Sequence, residues 1–371
     1  MEDGNAQLGL GADGDDIEPA ASNEPSDSGI AAGIYESSDQ QGHKGDITDR
    51  LHADDLAQSW MDEAQGVPQV HCLVRVGFKT DLGVVRENNE DKFDLLEPAD
   101  PGFLAVKGRF YGVADGMGGH SAGQIASELA LKTVIQRYFR DPSPHIIDSL
   151  RQAINEANKL VFDTAQLIPE RQGMGTTLTV AVLREDRLTL AHVGDSRAYL
   201  VSGEHARQIT HDHSLVAEQV RAGTITAEDA ANSPLRNIIL RSIGTGPIVE
   251  ADFYEEIVHV GDVLVMCSDG LTGHVSEEEI AEYVGSPQAR RRGPSMAAYR
   301  LVDLANSRGG RDNITVVIVE IASINPYVVD VPATASADTR PVILEEADHT
   351  LFAVHSAPPD AESDIDPSGT A

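Results

Sequence analysis

Cysteine and tryptophan are almost missing from this chain: 371 residues hold Cys72, Cys267 and one tryptophan. Two cysteines far apart and in unlike settings give neither a disulfide framework nor a thiolate metal site. Aromatic residues make up only 5%, although a hydrophobic content of 41% still suffices for a core. No apolar run approaches the ~20 residues a membrane helix needs. The N-terminus is acidic and lacks the apolar segment of a secretory signal. Basic residues are scarce as well: 28 Lys and Arg face 60 Asp and Glu, a net charge of −32. That balance argues against nucleic acid and anionic membrane as partners, because both require basic patches. The chain reads as cytoplasmic.

The negative charge is unevenly spread. Residues 1–69 carry sixteen acidic residues against Lys44 and Arg50, or −14, and residues 325–371 carry nine against Arg340, or −8. The stretch between them is left with a modest −10. Both flanks combine high charge with few apolar anchors, so the expectation is an acidic, mostly disordered extension over 1–69 and an acidic, Pro-containing tail over 325–371. Ile47, Leu51, Leu56, Trp60 and Met61 fall at helical spacing and read as a transient helix without a partner or, as the alternative, a docking element. The folded domain is expected over 70–324.

Within that domain apolar runs predict strands at Cys72–Phe78, Phe93–Leu96, Arg109–Ala114, Thr177–Leu183, Leu188–Val193, Ala198–Val201, Val263–Cys267 and Ile314–Ile321. Thr177–Val201 reads as a meander turning at Arg184–Arg187. Two amphipathic helices are expected over Ser121–Phe139, burying Ile125, Leu129 and Val134, and over His145–Leu167, burying Ile147, Leu150, Ile154, Ala157 and Val161. A further helix is expected over Ser295–Ser307. Strand runs mixed with helix pairs, without strict alternation, indicate an α+β fold with helices covering antiparallel sheets.

Four aspartates sit where an apolar run stops and a turn begins: Asp91, Asp115, Asp269 and Asp312. One Asp-Gly is first of all a turn dipeptide, but four such carboxylates at strand ends can converge. Hard oxygen ligands of this kind suit Mg²⁺ or Mn²⁺. The loop Gly112–His120 lacks the Lys-Ser/Thr of a nucleotide-binding loop, which leaves an acidic residue, Asp115, on a flexible turn where a carboxylate and a glycine carbonyl can both reach a cation. Arg86, close before Glu90 and Asp91, is either a phosphate-binding guanidinium or a structural partner of Glu90. Asp195 in His192–Arg197 is either a further ligand or a hairpin residue capping its own turn. His211-Asp212-His213 makes a poor tetrahedral zinc site. It reads as the loop opening a helix over Leu215–Arg221, with Asp212 or Ser214 as N-cap.

Asp115-Gly116-Met117-Gly118-Gly119-His120, Gly175-Thr176-Thr177, Val193-Gly194-Asp195-Ser196-Arg197, Ser268-Asp269-Gly270-Leu271 and Asp312-Asn313 stand in one order. That ordered set resembles the metal-dependent serine/threonine protein phosphatases (type 2C, PPM), in their bacterial branch. The resemblance covers about residues 70–324 and neither flank. It implies two packed antiparallel β-sheets flanked by antiparallel helix pairs. It also implies hydrolysis of phosphoserine and phosphothreonine by a water activated between two Mn²⁺ or Mg²⁺ ions, in opposition to a serine/threonine kinase. Asp115 would bridge the ions and Gly116 would offer its carbonyl to the first. Asp269 and Asp312 would bind the second, helped by Asp91 with Glu90. Arg86 would hold the substrate phosphate, and His120 would be the general acid. Asp195 with Asp269 would hold a weaker third ion, and Leu215 to about Leu240 would form a flap beside the site. Asn232-Ser233-Pro234 departs from the His-Pro of many relatives, which bears on substrate preference. Phosphoproteins are the implied partners of a monomer. Two alternatives stay open: a non-catalytic phosphoprotein-binding module of the same fold, and a small-molecule phosphomonoesterase.

Overall fold

A computed structural model describes residues 70–118 and 122–326. The helix expected near residues 47–61, the disorder proposed for 1–69 and 327–371, and His120 lie outside them; Asn325 and Pro326, expected in the tail, instead pair with His71 and Val70 at the end of a strand. The strands are β1 (Val70–Asp81), β2 (Lys92–Leu96), β3 (Arg109–Ala114), β4 (Gly116–Met117), β5 (Gly175–Thr176), β6 (Leu178–Arg184), β7 (Arg187–Val193), β8 (Arg197–Ser202), β9 (His205–Gln208), β10 (Asp252–Ile257), β11 (Val263–Cys267) and β12 (Ile314–Pro326). The helices are α1 (Pro101–Lys107), α2 (Ala122–Arg140), α3 (Ile146–Leu167), α4 (Leu215–Arg221), α5 (Ala227–Ala231), α6 (Asp269–Thr272), α7 (Glu277–Gly285), α8 (Pro287–Arg292) and α9 (Pro294–Ser307).

One sheet has the order β1-β12-β11-β8-β9 and the other β10-β7-β6-β3-β2, with antiparallel pairing throughout. Alternation along the central strands builds the layers. Leu264, Met266, Val317 and Val319 face the other sheet, meeting Tyr111, Val113, Ala181 and Leu190. Their neighbours Val263, Val265, Cys267, Val316 and Ile318 point outward into a core closed by α7 and α9. On the far side α2 and α3 cover Phe110, Val180, Val182 and Ala191. The result is the expected α+β sandwich of two antiparallel sheets between helical layers.

Four local points need correction. The meander ends at Val193: β6 and β7 form the hairpin, but β8 pairs with β11 and β9 in the opposite sheet. Strands β9 and β10 went unpredicted, since His-Ala-Arg-Gln and Asp-Phe-Tyr-Glu-Glu-Ile are polar edge strands half open to water. On α2 the deep face is Ala122, Gly123, Ala126, Ala130, Leu131 and Val134, while Ile125 and Leu129 pack only at its margin. Small residues let this helix approach the loop after β3, and a Cβ on Gly123 would lie 2.8 Å from the Gly116 carbonyl carbon. At the start of α3, Ile146 takes the buried place expected for Ile147.

Candidate active site

Sheet register brings the predicted carboxylates to one end of the sandwich. Lys92 pairs with Ala114, so Asp91 just before β2 and Asp115 just after β3 are set side by side. In the other sheet Cys267 pairs with Val316. Asp269 therefore leaves the end of β11 next to Asp312, which precedes β12. Asp195 lies on the link by which the chain crosses from β7 in one sheet to β8 in the other.

These five carboxylates act on one another. Asp115 is pushed well above the usual carboxylate range by desolvation, and then by the charges of Asp91, Asp269, Asp195 and Asp312. Asp91 is pushed up to about 7, again by desolvation first, with Asp269 and Asp312 adding to it. Asp195 also rises to about 7 through burial and the charges of Asp269 and Asp212. Asp269 is raised by burial and by Asp312, partly offset by hydrogen bonding with Asp115. Glu90 is raised by burial, with Arg86 working against it. Two carboxylate oxygens, Oδ1 of Asp195 and Oδ1 of Asp269, are buried without a hydrogen-bond donor. Among the described residues no three His, Cys, Asp or Glu side chains are drawn in tightly enough to hold an ion as they stand. Orphaned anionic oxygens among repelling neighbours are the arrangement a hard cation would relieve.

Neutral residues hold the acids in place. Ser268 Oγ donates to Asp91 Oδ2 at 2.7 Å and accepts from the Thr315 amide at 3.0 Å. Thr177 Oγ1 accepts from the Asp115 amide at 2.8 Å, and the Thr177 amide returns a bond to the Asp115 carbonyl, also at 2.8 Å. Asn313 clamps the approach to Glu90: its Oδ1 accepts from the Glu90 amide at 2.8 Å, and its Nδ2 donates to the Leu82 and Asn88 carbonyls. Ser127 on α2 donates to the Glu90 carbonyl at 2.6 Å. Gly116 is buried against this same carbonyl, since a Cβ there would lie 2.7 Å from it. Thr177, Ser268 and Asn313 stand inside the quoted motifs, yet sequence alone assigned them no task. Their partners are 62, 177 and 223 positions away.

Arg86 pairs with Asp312 rather than Glu90: its Nη2 lies 2.8 Å from Asp312 Oδ2. The pair is solvent-facing, with 45% and 33% of the two side chains exposed, so it is worth at most about 1 kcal/mol.

The crossover carrying Asp195 is fixed by two histidines. Gly194 adopts φ +116°, a conformation few side-chain-bearing residues tolerate, and a Cβ there would meet Thr177. The Gly194 carbonyl accepts from His192 Nε2 at 3.0 Å and from the His213 amide at 2.7 Å. The Gly194 amide donates to His213 Nδ1 at 3.1 Å. His213 Nε2 in turn reaches Asp252 at 3.2 Å, and Arg241 completes the chain. Both histidines are engaged in structural hydrogen bonds. Asp212 is taken up by Arg197, which leaves Ser214 as the N-cap of α4.

His192 is fully buried, and desolvation followed by the neighbouring His213 lowers its pKa to about 3. An unfolded His titrates near ~6.5. Between those values the unfolded chain binds the extra proton, so this contribution to stability is complete above pH 6.5 and is lost as pH falls towards 3. The unfolding free-energy difference between wild type and His192→Gln, read by urea denaturation, should shrink as pH drops from 7 to 4. A difference that stays constant with pH would show that His192 is not buried neutral.

The proposed flap leaves and rejoins the domain at one point: the Leu215 amide bonds the Ile238 carbonyl and the Leu240 amide bonds the His213 carbonyl. Leu235, Ile238 and Leu240 on it are exposed. No helix among the described residues is long and apolar enough to cross a membrane.

Residues 82–219 match the family model described as Protein phosphatase 2C. A serine/threonine phosphatase, stp, of Listeria monocytogenes is 40% identical over 247 residues, covering 66% of this chain and 94% of that protein. The solved serine/threonine phosphatase of S. agalactiae aligns with a TM-score of 0.62 at 35% identity, over 67% of this chain and 100% of that one. The catalytic domain of the serine threonine protein phosphatase PstP, solved with 2 manganese ions, aligns with a TM-score of 0.58 at 34% identity, over 68% of this chain and 100% of that domain. With relatives matched over nearly their whole length and the same antiparallel sandwich beneath the acidic site, this chain belongs to the protein phosphatase 2C (PPM) family and is a protein-serine/threonine phosphatase.

Proposed function

We propose that this phosphatase works with two divalent cations, Mn²⁺ or Mg²⁺, on phosphoproteins made by a serine/threonine kinase. Asp115 and the Gly116 carbonyl would hold one ion and Asp115, Asp269 and Asp312 the other. Asp91 and Glu90 would fix the surrounding waters, and Asp195 with Asp269 would hold a weaker third ion. The observation that carries this reading is the pair of buried, donorless oxygens on Asp195 and Asp269. When bound, such cations supply an acidified water and positive charge against the phosphoryl oxygens.

The chain's own groups do the rest. Ser268 and Thr177 keep Asp91 and Asp115 at fixed positions, so little reorganisation is left for the reaction. Arg86 is held by a weak exposed pair and can exchange Asp312 for the substrate phosphate, whose oxygens match its bidentate fork. As the water oxygen bonds to phosphorus, the ester oxygen leaves with the electron pair of the broken P–O bond and takes up a proton. His120 is the proposed donor of that proton.

Chelator should abolish hydrolysis of a phosphothreonine peptide, and added Mn²⁺ should restore it. The stripped protein should also gain about 5–10 °C in Tm at a hundredfold excess of metal over Kd, by binding linkage alone. Unchanged melting across the titration would dismiss the assigned ligands. Arg86→Ala should raise KM for the phosphopeptide about tenfold or more, the scale of one charge-assisted contact, while the metal-induced gain in Tm persists. An unchanged KM would remove Arg86 from the substrate.

A further inference from the structure

A cavity of about 400 Å³ opens at the end of the sandwich away from the acidic site. Its walls include Val70 and Arg109, the first residues of β1 and β3, and Pro326, the last of β12. The acidic site takes the opposite ends of β3 and β12. The length of β3 alone sets the two about 17–20 Å apart. Cys72, Pro101, Leu104, Ala105 and Leu183 make most of the remaining lining apolar.

Into this lining is set a guanidinium with too few partners. The Arg109 side chain is only 10% exposed, and its Nε is buried without an acceptor. Glu97 Oε2 stands 3.8 Å from that nitrogen, beyond hydrogen-bonding reach. Glu97 is held off by Tyr111, whose hydroxyl donates to its other oxygen at 2.9 Å. Nη2 has a long 3.4 Å contact to His71 Nε2. Buried guanidinium groups ordinarily satisfy their fork with carboxylate or carbonyl oxygens. Arg109 itself is one of the residues that line the cavity.

We infer that this cavity is a binding site for a compact apolar molecule bearing a single carboxylate. The volume lies at the small end of ligand pockets, and apolar walls with one placed polar group are their usual chemistry. A carboxylate supplies the bidentate acceptor that Arg109 lacks. Glu185 in the lining and Glu97 beside Arg109 oppose a second negative charge, which disfavours a dianion such as a phosphate ester.

The test uses the full-length, metal-loaded protein and three probes of matched shape: phenylacetate, neutral phenylacetamide and dianionic phenylphosphonate. Calorimetry should show saturable one-to-one binding of phenylacetate, with the other two at least about tenfold weaker, a gap of one charge-assisted contact. Arg109→Met should remove the preference for the carboxylate. Ala105→Phe fills the cavity with Arg109 unsubstituted and should abolish binding while circular dichroism and phosphatase activity persist, which covers the case in which Arg109→Met fails to fold. Absent phenylacetate binding, equal affinity for the amide, or binding that survives Ala105→Phe would each overturn the assignment.

Discussion

Asp115→Asn should lower phosphatase turnover by at least about a thousandfold, the scale on which loss of preorganised charge stabilisation is felt, and should leave the fold intact. Both halves follow from where Asp115 stands. Its carboxylate feels the charges of Asp91, Asp269, Asp195 and Asp312 together, so it is the acid at the centre of the group. An amide keeps the shape and loses the anionic oxygens on which both proposed ions depend. The same change removes one like charge from a crowded, partly desolvated cluster, and the metal-free variant should therefore melt at or above the temperature of metal-free wild type. The discriminating signature is a pair of results: higher or equal Tm in chelator, with the metal-induced gain in Tm lost. A variant that keeps near wild-type turnover would return Asp115 to the role of an ordinary turn residue. One that unfolds would show that the carboxylate is a structural prop. Such a trade of stability for activity is common where function concentrates like charges.

Gly270→Ala should cost both activity and stability. Gly270 lies in α6, directly behind Asp269, and a Cβ there would collide with the backbone carbonyl of Asn313, with its carbonyl carbon at 2.9 Å. That carbonyl belongs to the segment that carries Asp312 and clamps Glu90. Backbone cannot swing aside as a flexible side chain would, so the methyl must push the Asp269 and Asp312 segments apart. Overpacking of this kind costs about 1–3 kcal/mol or more. A displacement near 1 Å among reacting groups can cost about a hundredfold in rate. Turnover on a phosphothreonine peptide and the midpoint of thermal unfolding read the two effects. Gly246→Ala is the matched control, because a Cβ there meets nothing nearer than 3.6 Å. If Gly270→Ala behaves like Gly246→Ala, the close approach is not needed.

What could be read in the sequence, and what could not, divides along physical lines. The central strands announced themselves because β3, β11 and most of β12 are covered on both faces and must be apolar throughout. The acids were visible because each interrupts such a run. The crossing of β8 into the opposite sheet was hidden, since Gly194-Asp195-Ser196 is short enough for a hairpin. What turns it is His213, nineteen positions on. The deep face of α2 was misjudged because close approach favoured alanine and glycine where hydrophobicity pointed to Ile125 and Leu129. Arg86 stands near Glu90 and Asp91 in sequence, yet its partner Asp312 is 226 positions away, beyond any local pattern. The tasks of Thr177, Ser268 and Asn313 follow from register between strands, and register is settled by the whole fold.

The acids are contributed from both halves of the sandwich: Asp91 and Asp115 extend one sheet, Asp269 and Asp312 the other, and Asp195 joins them. On the proposed assignment the second ion draws on both halves, through Asp115 on one side and Asp269 and Asp312 on the other. A cation captured between them would work as a rivet across the interface, put in place only once the two halves have met. Contacts that form so late are largely missing from the folding transition state, so they leave the speed of folding almost unchanged and slow the escape from the native state instead. Loss of cation would then be felt first as a shortened lifetime of the folded enzyme.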